Sequence, residues 1–180
     1  MPITPGTYEL GAENASLRIE TERGGAAAKA GHDLVIEVGS WHGTLEVGED
    51  PNQNSLTLSA DSGSMAVIEG TGGVKALTEE DKVEIKKTIE AEVLKPGQIE
   101  FNSSRVTSID DGEGLSVTGE LRMNGNSHRL DFELKVSPDG EVSGRATVKQ
   151  SDWGIKPYSG LFGTLKVKDE VEVVAEGFLR

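Results

Sequence analysis

Between Gly114 and Ser151 the chain alternates apolar and polar side chains through three successive runs, and this restricts the fold more than any other stretch. Leu115, Val117, Leu121 and Met123 share one parity with Gly119, while Ser116, Thr118, Glu120, Arg122 and Asn124 take the other. That is the period of a strand buried on a single face. After Asn124-Gly125-Asn126-Ser127 the pattern resumes, with His128, Leu130, Phe132, Leu134 and Val136 opposed to Arg129, Asp131, Glu133 and Lys135. An Asn-Gly pair between alternating runs marks a hairpin. Ser137-Pro138-Asp139-Gly140 supplies a second turn, because proline presets φ and glycine accepts positive φ. Val142, Ala146 and Val148 then extend the apolar face, so the stretch commits the chain to an antiparallel meander with a core beneath it.

The rest of the chain repeats this theme. Thr7–Leu10 and Leu17–Thr21 read as short strands joined by Gly11-Ala12-Glu13-Asn14, and the small residues from Gly24 to Gly31 read as a short helix. From His32 to Val47 the apolar parity runs through Leu34, Ile36 and Val38, breaks at Gly39-Ser40 and restarts at Trp41. A bulge there returns both halves to one face, as long barrel strands require at corners. Leu56 and Leu58 begin a further strand, Met65–Ile68 continues the sheet, and Gly70-Thr71-Gly72-Gly73 is a loop. Thr78–Leu94 is the one long helix, with Thr78 as N-cap, Glu79, Glu80 and Asp81 in its first turn, and Lys95-Pro96-Gly97 as its stop. Its narrow stripe of Ile85, Ile89 and Val93 places it on a flank or opening of a sheet. Ile99 and Phe101 open the next strand, and Val171–Phe178 is the last. The expected fold is all-β: one domain over residues 1–180, an antiparallel barrel of about eight to ten strands with the helix (78–94) beside it.

A net charge of −13 argues against nucleic acid as a partner, since phosphate contacts need clustered Lys and Arg. No apolar run is long enough for a transmembrane segment. Met1-Pro2-Ile3-Thr4-Pro5 has neither a basic region nor a hydrophobic one, so the sequence as written is expected to be cytoplasmic, and periplasmic or secreted if a leader has been removed. The absence of cysteine excludes disulfides and thiol chemistry. With no exposed apolar stripe beyond the helix, a monomer or weak homodimer is expected.

The inward parity supplies the candidate ligand-binding residues Leu34, Ile36, Val38, Trp41, Phe101, Leu121, Met123, Leu130, Phe132, Leu134 and Val148. A barrel of this size is either packed by such side chains or hollow enough for one small ligand, and the pattern alone fits both. Beyond Val148, Gly154 permits a bend that turns Trp153 inward. The turn formers and apolar side chains that follow place Trp153, Tyr158 and Phe162 at the ligand entrance, as lining or lid. The three histidines match no metal-ligand spacing. His32 and His128 fall at strand starts on the barrel rim and His42 points outward. Almost all carboxylates lie on the polar parity, and neither a Ser-His-Asp arrangement nor a phosphate-binding loop is legible. No catalytic residue, metal or cofactor is expected.

Several short motifs carry a resemblance. The strand Ile99-Glu100-Phe101-Asn102-Ser103-Ser104, the run Val117-Thr118-Gly119-Glu120-Leu121, the turn Gly125-Asn126-Ser127-His128 and the segment Ser151-Asp152-Trp153-Gly154-Ile155, followed by Asp169-Glu170-Val171-Glu172-Val173, together resemble the YceI-like family. So do the opening strand Thr7-Tyr8-Glu9-Leu10, then Ser16-Leu17-Arg18-Ile19, and the Gly31-His32 start of the long strand. The resemblance implies an extended lipocalin-like barrel with a helix at its side and a long polyisoprenoid chain in an apolar tunnel. The function it implies is non-catalytic binding or carriage of an isoprenoid lipid or quinone. Two alternatives remain: an isomerase or cyclase using the barrel as a dry chamber with His128 or His32 as acid or base, and a ligand-free stress-response or interaction protein acting through its acidic surface. The sequence departs from the family pattern in two places, an acidic helix where a short connection is usual (Leu77–Lys95) and the lack of a secretory leader.

Overall fold

The computed structural model of the chain describes residues 3–160 and 165–180. Its strands are β1 (Gly6–Gly11), β2 (Ala15–Glu20), β3 (Arg23–Gly24), β4 (His32–Val38), β5 (Trp41–Val47), β6 (Ser55–Asp61), β7 (Met65–Gly72), β8 (Gln98–Ile109), β9 (Gly114–Met123), β10 (Asn126–Val136), β11 (Glu141–Lys149), β12 (Ser159–Gly160), β13 (Leu165–Val167) and β14 (Glu170–Phe178). Eleven of them form one antiparallel sheet in the order β1-β5-β6-β8-β9-β10-β11-β14-β2-β4-β7, and β12, β13 and β3 form a second, small sheet.

That order closes on itself, because β1 and β2, β4 and β5, and β6 and β7 are three pairs of half-strands, each pair one bent strand. β1 pairs with β5 while β2 pairs with β4, and β6 pairs with β5 while β7 pairs with β4. The remaining strands follow in sequence to β14, which pairs back onto β2. Gly11–Asn14 therefore bends one strand and does not join two. The bends at 39–40 and 61–64 satisfy each other's backbone, and the bend at 11–14 is satisfied by its own Asn14. Gly39 N–H donates to Ser64 O (3.2 Å) and Asp61 N–H to Ser40 O (3.0 Å), while the Asn14 side chain donates to Glu9 O (2.8 Å) and accepts from Gly11 N–H (2.9 Å).

The barrel ends are unlike. Short turns, at 48–54, 110–113 and 137–140, gather at one end. There Leu45, Val106, Leu115 and Val117 are almost wholly removed from solvent, each contributing about 1.5–3 kcal/mol by burial. The other end carries the long connections, 21–31, 73–97 and the described parts of 150–169 (150–160 and 165–169), with only one tight turn among the described residues. That turn is shorter than the sequence pattern implied: Asn124 and Gly125 alone form it, both at positive φ (53° and 70°), which matches the twist of the flanking strands. The helix expected in 24–31 is reduced to a single turn, Ala28–Ala30, because its small side chains offer no apolar stripe to pack.

Past its bend β7 leaves β8 and pairs only with β4. The helix α1 (Glu79–Thr88) fills the gap beside it. Thr78 caps it reciprocally, Oγ1 accepting from Asp81 N–H (3.1 Å) and Thr78 N–H donating to Asp81 (2.9 Å). Its final turn, Ile89–Val93, widens to π-helical geometry and closes with Leu94 N–H on Ile89 O (2.9 Å). Ile85, Ile89 and Leu94 pack onto the core of Leu17, Ile36, Val38, Met65 and Val67. Covering the free edge of β7 in this way removes a site for strand addition.

Candidate ligand-binding cavity

A cavity of about 270 Å³ runs from the waist of the barrel toward the end that carries the long connections. Its wall is almost wholly apolar, built from the inward parity of every strand in the ring. All eleven strand positions expected to face inward do so: Leu34, Ile36, Val38, Trp41, Phe101, Leu121, Met123, Leu130, Phe132, Leu134 and Val148 border it. The bend at Gly39-Ser40 keeps Trp41 on the same side as Val38. Phe101 and Phe132 meet across the wall with centroids 5.3 Å apart at 56°. Gly119 makes room for them, since a Cβ there would stand 2.4 Å from Phe101 Cζ and 2.5 Å from Asn102 O.

The entrance differs from the sequence expectation. Tyr158 borders the cavity, but Trp153 does not. The turn Gln150–Trp153, ended by Gly154 at φ 68°, carries the indole into the core, where it is 2% exposed and Nε1–H donates to Leu121 O (2.8 Å). Asn124 and Asn126 both donate to Trp153 O (3.0 and 2.9 Å), and His128 stands edge-on to the ring at 5.5 Å. Trp153 is a fixed plug beside the β9–β10 turn, not a lid. Phe162 lies outside the described residues.

Other wall residues come from segments whose role was not legible. Ile89, Val93 and Leu94 reach in from the helix, Ile155 and Val167 from the last long connection, and Leu17 and Ile19 from β2. Two buried polar side chains mark the entrance. Thr21 Oγ1 accepts from Leu34 N–H (3.2 Å), and Gln150 Nε2 donates to Lys168 O (3.2 Å). The parity of β11 places Gln150 inward, a signal outweighed by its polarity.

Beside Gln150, the Ser151 hydroxyl and N–H both donate to Asp169, and these bonds hold its carboxyl below the ordinary carboxylate value. A depressed carboxylate stabilises the fold above the unfolded pKa of about 4 and loses that contribution as pH falls through the folded value. Ser151→Ala is expected to move the Asp169 titration upward, a change read directly from its carboxyl carbon shift against pH.

The histidines do not converge. His32 Nε2 lies 2.7 Å from Lys75 O, His42 Nε2 lies 2.7 Å from Glu9 Oε2 on the outer surface, and His128 is exposed against Trp153. Among the described residues no three His, Asp or Glu side chains are grouped to hold a metal ion. No helix among them is long and apolar enough to cross a membrane.

Residues 8–177 match the model of the YceI-like domain. The chain belongs to the YceI-like family. Its fold is also similar to that of solved proteins. Burkholderia cenocepacia BcnA is 15% identical, with a TM-score of 0.64 over 90% of this chain and 94% of that one. A mutant CJ YceI protein, crystallised with a monobromobimane guest, is 12% identical, with a TM-score of 0.53 over 78% of this chain and 81% of that one. The Campylobacter jejuni YceI protein is 13% identical, with a TM-score of 0.48 over 78% and 83%. No curated protein sequence matches the chain. In this YceI-like protein the π turn that ends the helix supplies part of the cavity wall.

Proposed function

We propose that this YceI-like protein binds and carries a long apolar isoprenoid lipid, a polyprenyl chain or an isoprenoid quinone, in the barrel interior and performs no chemistry on it. The observation that carries this reading is the continuous aliphatic wall around the cavity, open toward one end and sealed by packed side chains at the other. Burial is worth about 25 cal/mol per Å² of apolar surface, so a tail enclosed over several hundred Å² gains roughly ten kcal/mol before ordering costs. The two charged residues at the cavity border, Arg145 and Glu176, are exposed and paired with Glu20 (3.0 Å) and Arg18 (2.7 Å), and no histidine borders it. Among the described residues that leaves no carboxylate or imidazole free inside the cavity, which favours carriage over an isomerase or cyclase.

Organic extraction of the purified protein, followed by mass spectrometry, is expected to release a prenyl lipid, or the extracted protein to take up an added one. His128→Ala is expected to leave that uptake intact. An extract without lipid together with no uptake of a polyprenyl chain or quinone overturns the reading.

A further inference from the structure

Charge is unevenly placed along the barrel axis. The three turns at the sealed end carry Glu49, Asp50, Asp110, Asp111, Glu113 and Asp139 and no lysine or arginine. At the open end, 21–31, 72–77 and the described parts of 150–169 carry Arg23, Lys29, Lys75, Lys156, Lys166 and Lys168 against Glu22, Asp152 and Asp169. A chain of net charge −13 thus has a local excess of positive charge at the end where its cavity opens. These segments are tied into a rim. Arg23 donates to Gly31 O (3.3 Å) and Thr71 O (2.9 Å), His32 Nε2 lies 2.7 Å from Lys75 O, and the turn Ala28–Ala30 packs against β13. Val167 on β13 borders the cavity, with Lys166 and Lys168 to either side of it. Lys168 is paired with Glu22, whereas Lys29, Lys75, Lys156 and Lys166 are exposed and in no ion pair among the described residues. Next to Lys75, Val74 is 85% exposed. A single exposed valine is ordinary on its own, and the cations around this one give it a role.

We propose that the open end is a docking face for an anionic phospholipid bilayer, on which the protein loads and unloads its cargo. This rests on the carrier reading and adds where exchange takes place. Distance decides which charges count. The ten residues of β9 run between the two ends, about 30 Å apart at the rise of a strand, whereas the Debye length at physiological salt is about 8 Å. A surface that touches the rim therefore meets the lysines and is screened from the acidic turns. Each lysine beside an anionic leaflet strengthens partition about fivefold, so the four free ones hold the protein reversibly, with Val74 adding a shallow apolar contact. A bilayer fits this face better than an acidic protein does, because a prenyl tail passing from a mouth pressed against headgroups moves between two apolar phases and is spared exposure to water.

The test mixes the full chain with sedimentable vesicles of phosphatidylcholine alone, or of two parts phosphatidylcholine to one part phosphatidylglycerol, in about 0.1 M salt. The protein is expected to sediment with the anionic vesicles and not with the neutral ones, and to be released in about 1 M salt, where the Debye length falls to about 3 Å. Lys29→Glu with Lys166→Glu is expected to weaken this partition at least about 20-fold while uptake of a prenyl lipid from detergent is unchanged. Glu49→Lys with Glu113→Lys makes an equal and opposite charge change at the sealed end and is expected to leave partition within about twofold of the parent. All four side chains are exposed, so both variants are expected to fold. Equal sedimentation with both vesicle types, or none with either, overturns the docking face and leaves carriage standing. So does a sealed-end variant that gains as much as the rim variant loses, since net charge and not the rim then governs. Self-association abolished by the rim variant, with no vesicle bound, assigns the rim to a second copy and overturns the bilayer. Absence of lipid uptake from both detergent and vesicles overturns carriage, and this inference with it.

Discussion

Ala146→Trp is expected to reduce prenyl-lipid binding at least 100-fold while the protein remains folded. Ala146 lies on β11 opposite Val173, is buried, and borders the cavity. An indole projected from this position occupies the space the lipid needs and removes several hundred Å² of apolar contact from the complex, which at about 25 cal/mol per Å² exceeds the roughly 2.7 kcal/mol of a hundredfold loss. Overpacking a filled core costs about 1–3 kcal/mol, but here the added ring enters a void, and filling a void returns dispersion contacts to its lining. Titration with a polyprenyl lipid reads the first effect, and the urea midpoint, expected to stay within about 1 kcal/mol of the parent, reads the second. Undiminished binding in a folded variant would place the lipid elsewhere.

Trp153→Ala is expected to destabilise the fold by about 3–5 kcal/mol, the range for removal of a large buried aromatic. The indole is enclosed, its N–H serves Leu121 O, and it holds the Gln150–Trp153 turn against the β9–β10 hairpin. Trp153→Phe separates the contributions: it keeps most of the ring volume, withdraws the donor, and is expected to cost about 1 kcal/mol for the lost bond plus a small packing loss. Equilibrium unfolding in urea measures both. A loss below about 1 kcal/mol for the alanine variant would show that the turn is held by the two asparagine side chains alone.

The meander was legible because each strand from Gly114 to Lys149 is buried on one face and the twofold alternation records this directly. The same signal identified the corner before Trp41 and all eleven inward strand positions. Closure of the ring was not legible in detail. That β5 lies between β1 and β6, and that β14 returns to β2, depends on pairing across up to 162 residues (Ala15 with Gly177), which local periodicity does not encode. Gly11–Asn14 has the composition of a reversing turn, yet Asn14 stitches it into a bend by bonding Gly11, Glu9 and Phe178. Trp153 was misplaced for a related reason. The bend allowed by Gly154 does turn it inward, but the 3₁₀ turn that starts at Gln150 advances about 120° per residue and sets the indole in the core beside the β9–β10 hairpin instead of at the entrance. The YceI-like resemblance fixed the family, which periodicity alone did not reach.

The unequal filling of the two barrel ends implies unequal protection of the backbone. Around Leu45, Val106, Leu115 and Val117 the ladders of β5, β8 and β9 lie against a dense interior, so their amide hydrogens exchange with solvent only when the whole molecule unfolds. At the opposite end, the two-residue and three-residue strands β12, β13 and β3, and the edge strand β7 held by a helix, are expected to open at much lower free energy, which amide exchange measures. Deuterium uptake is thus expected to begin in these pieces while the sealed half of the barrel keeps its register.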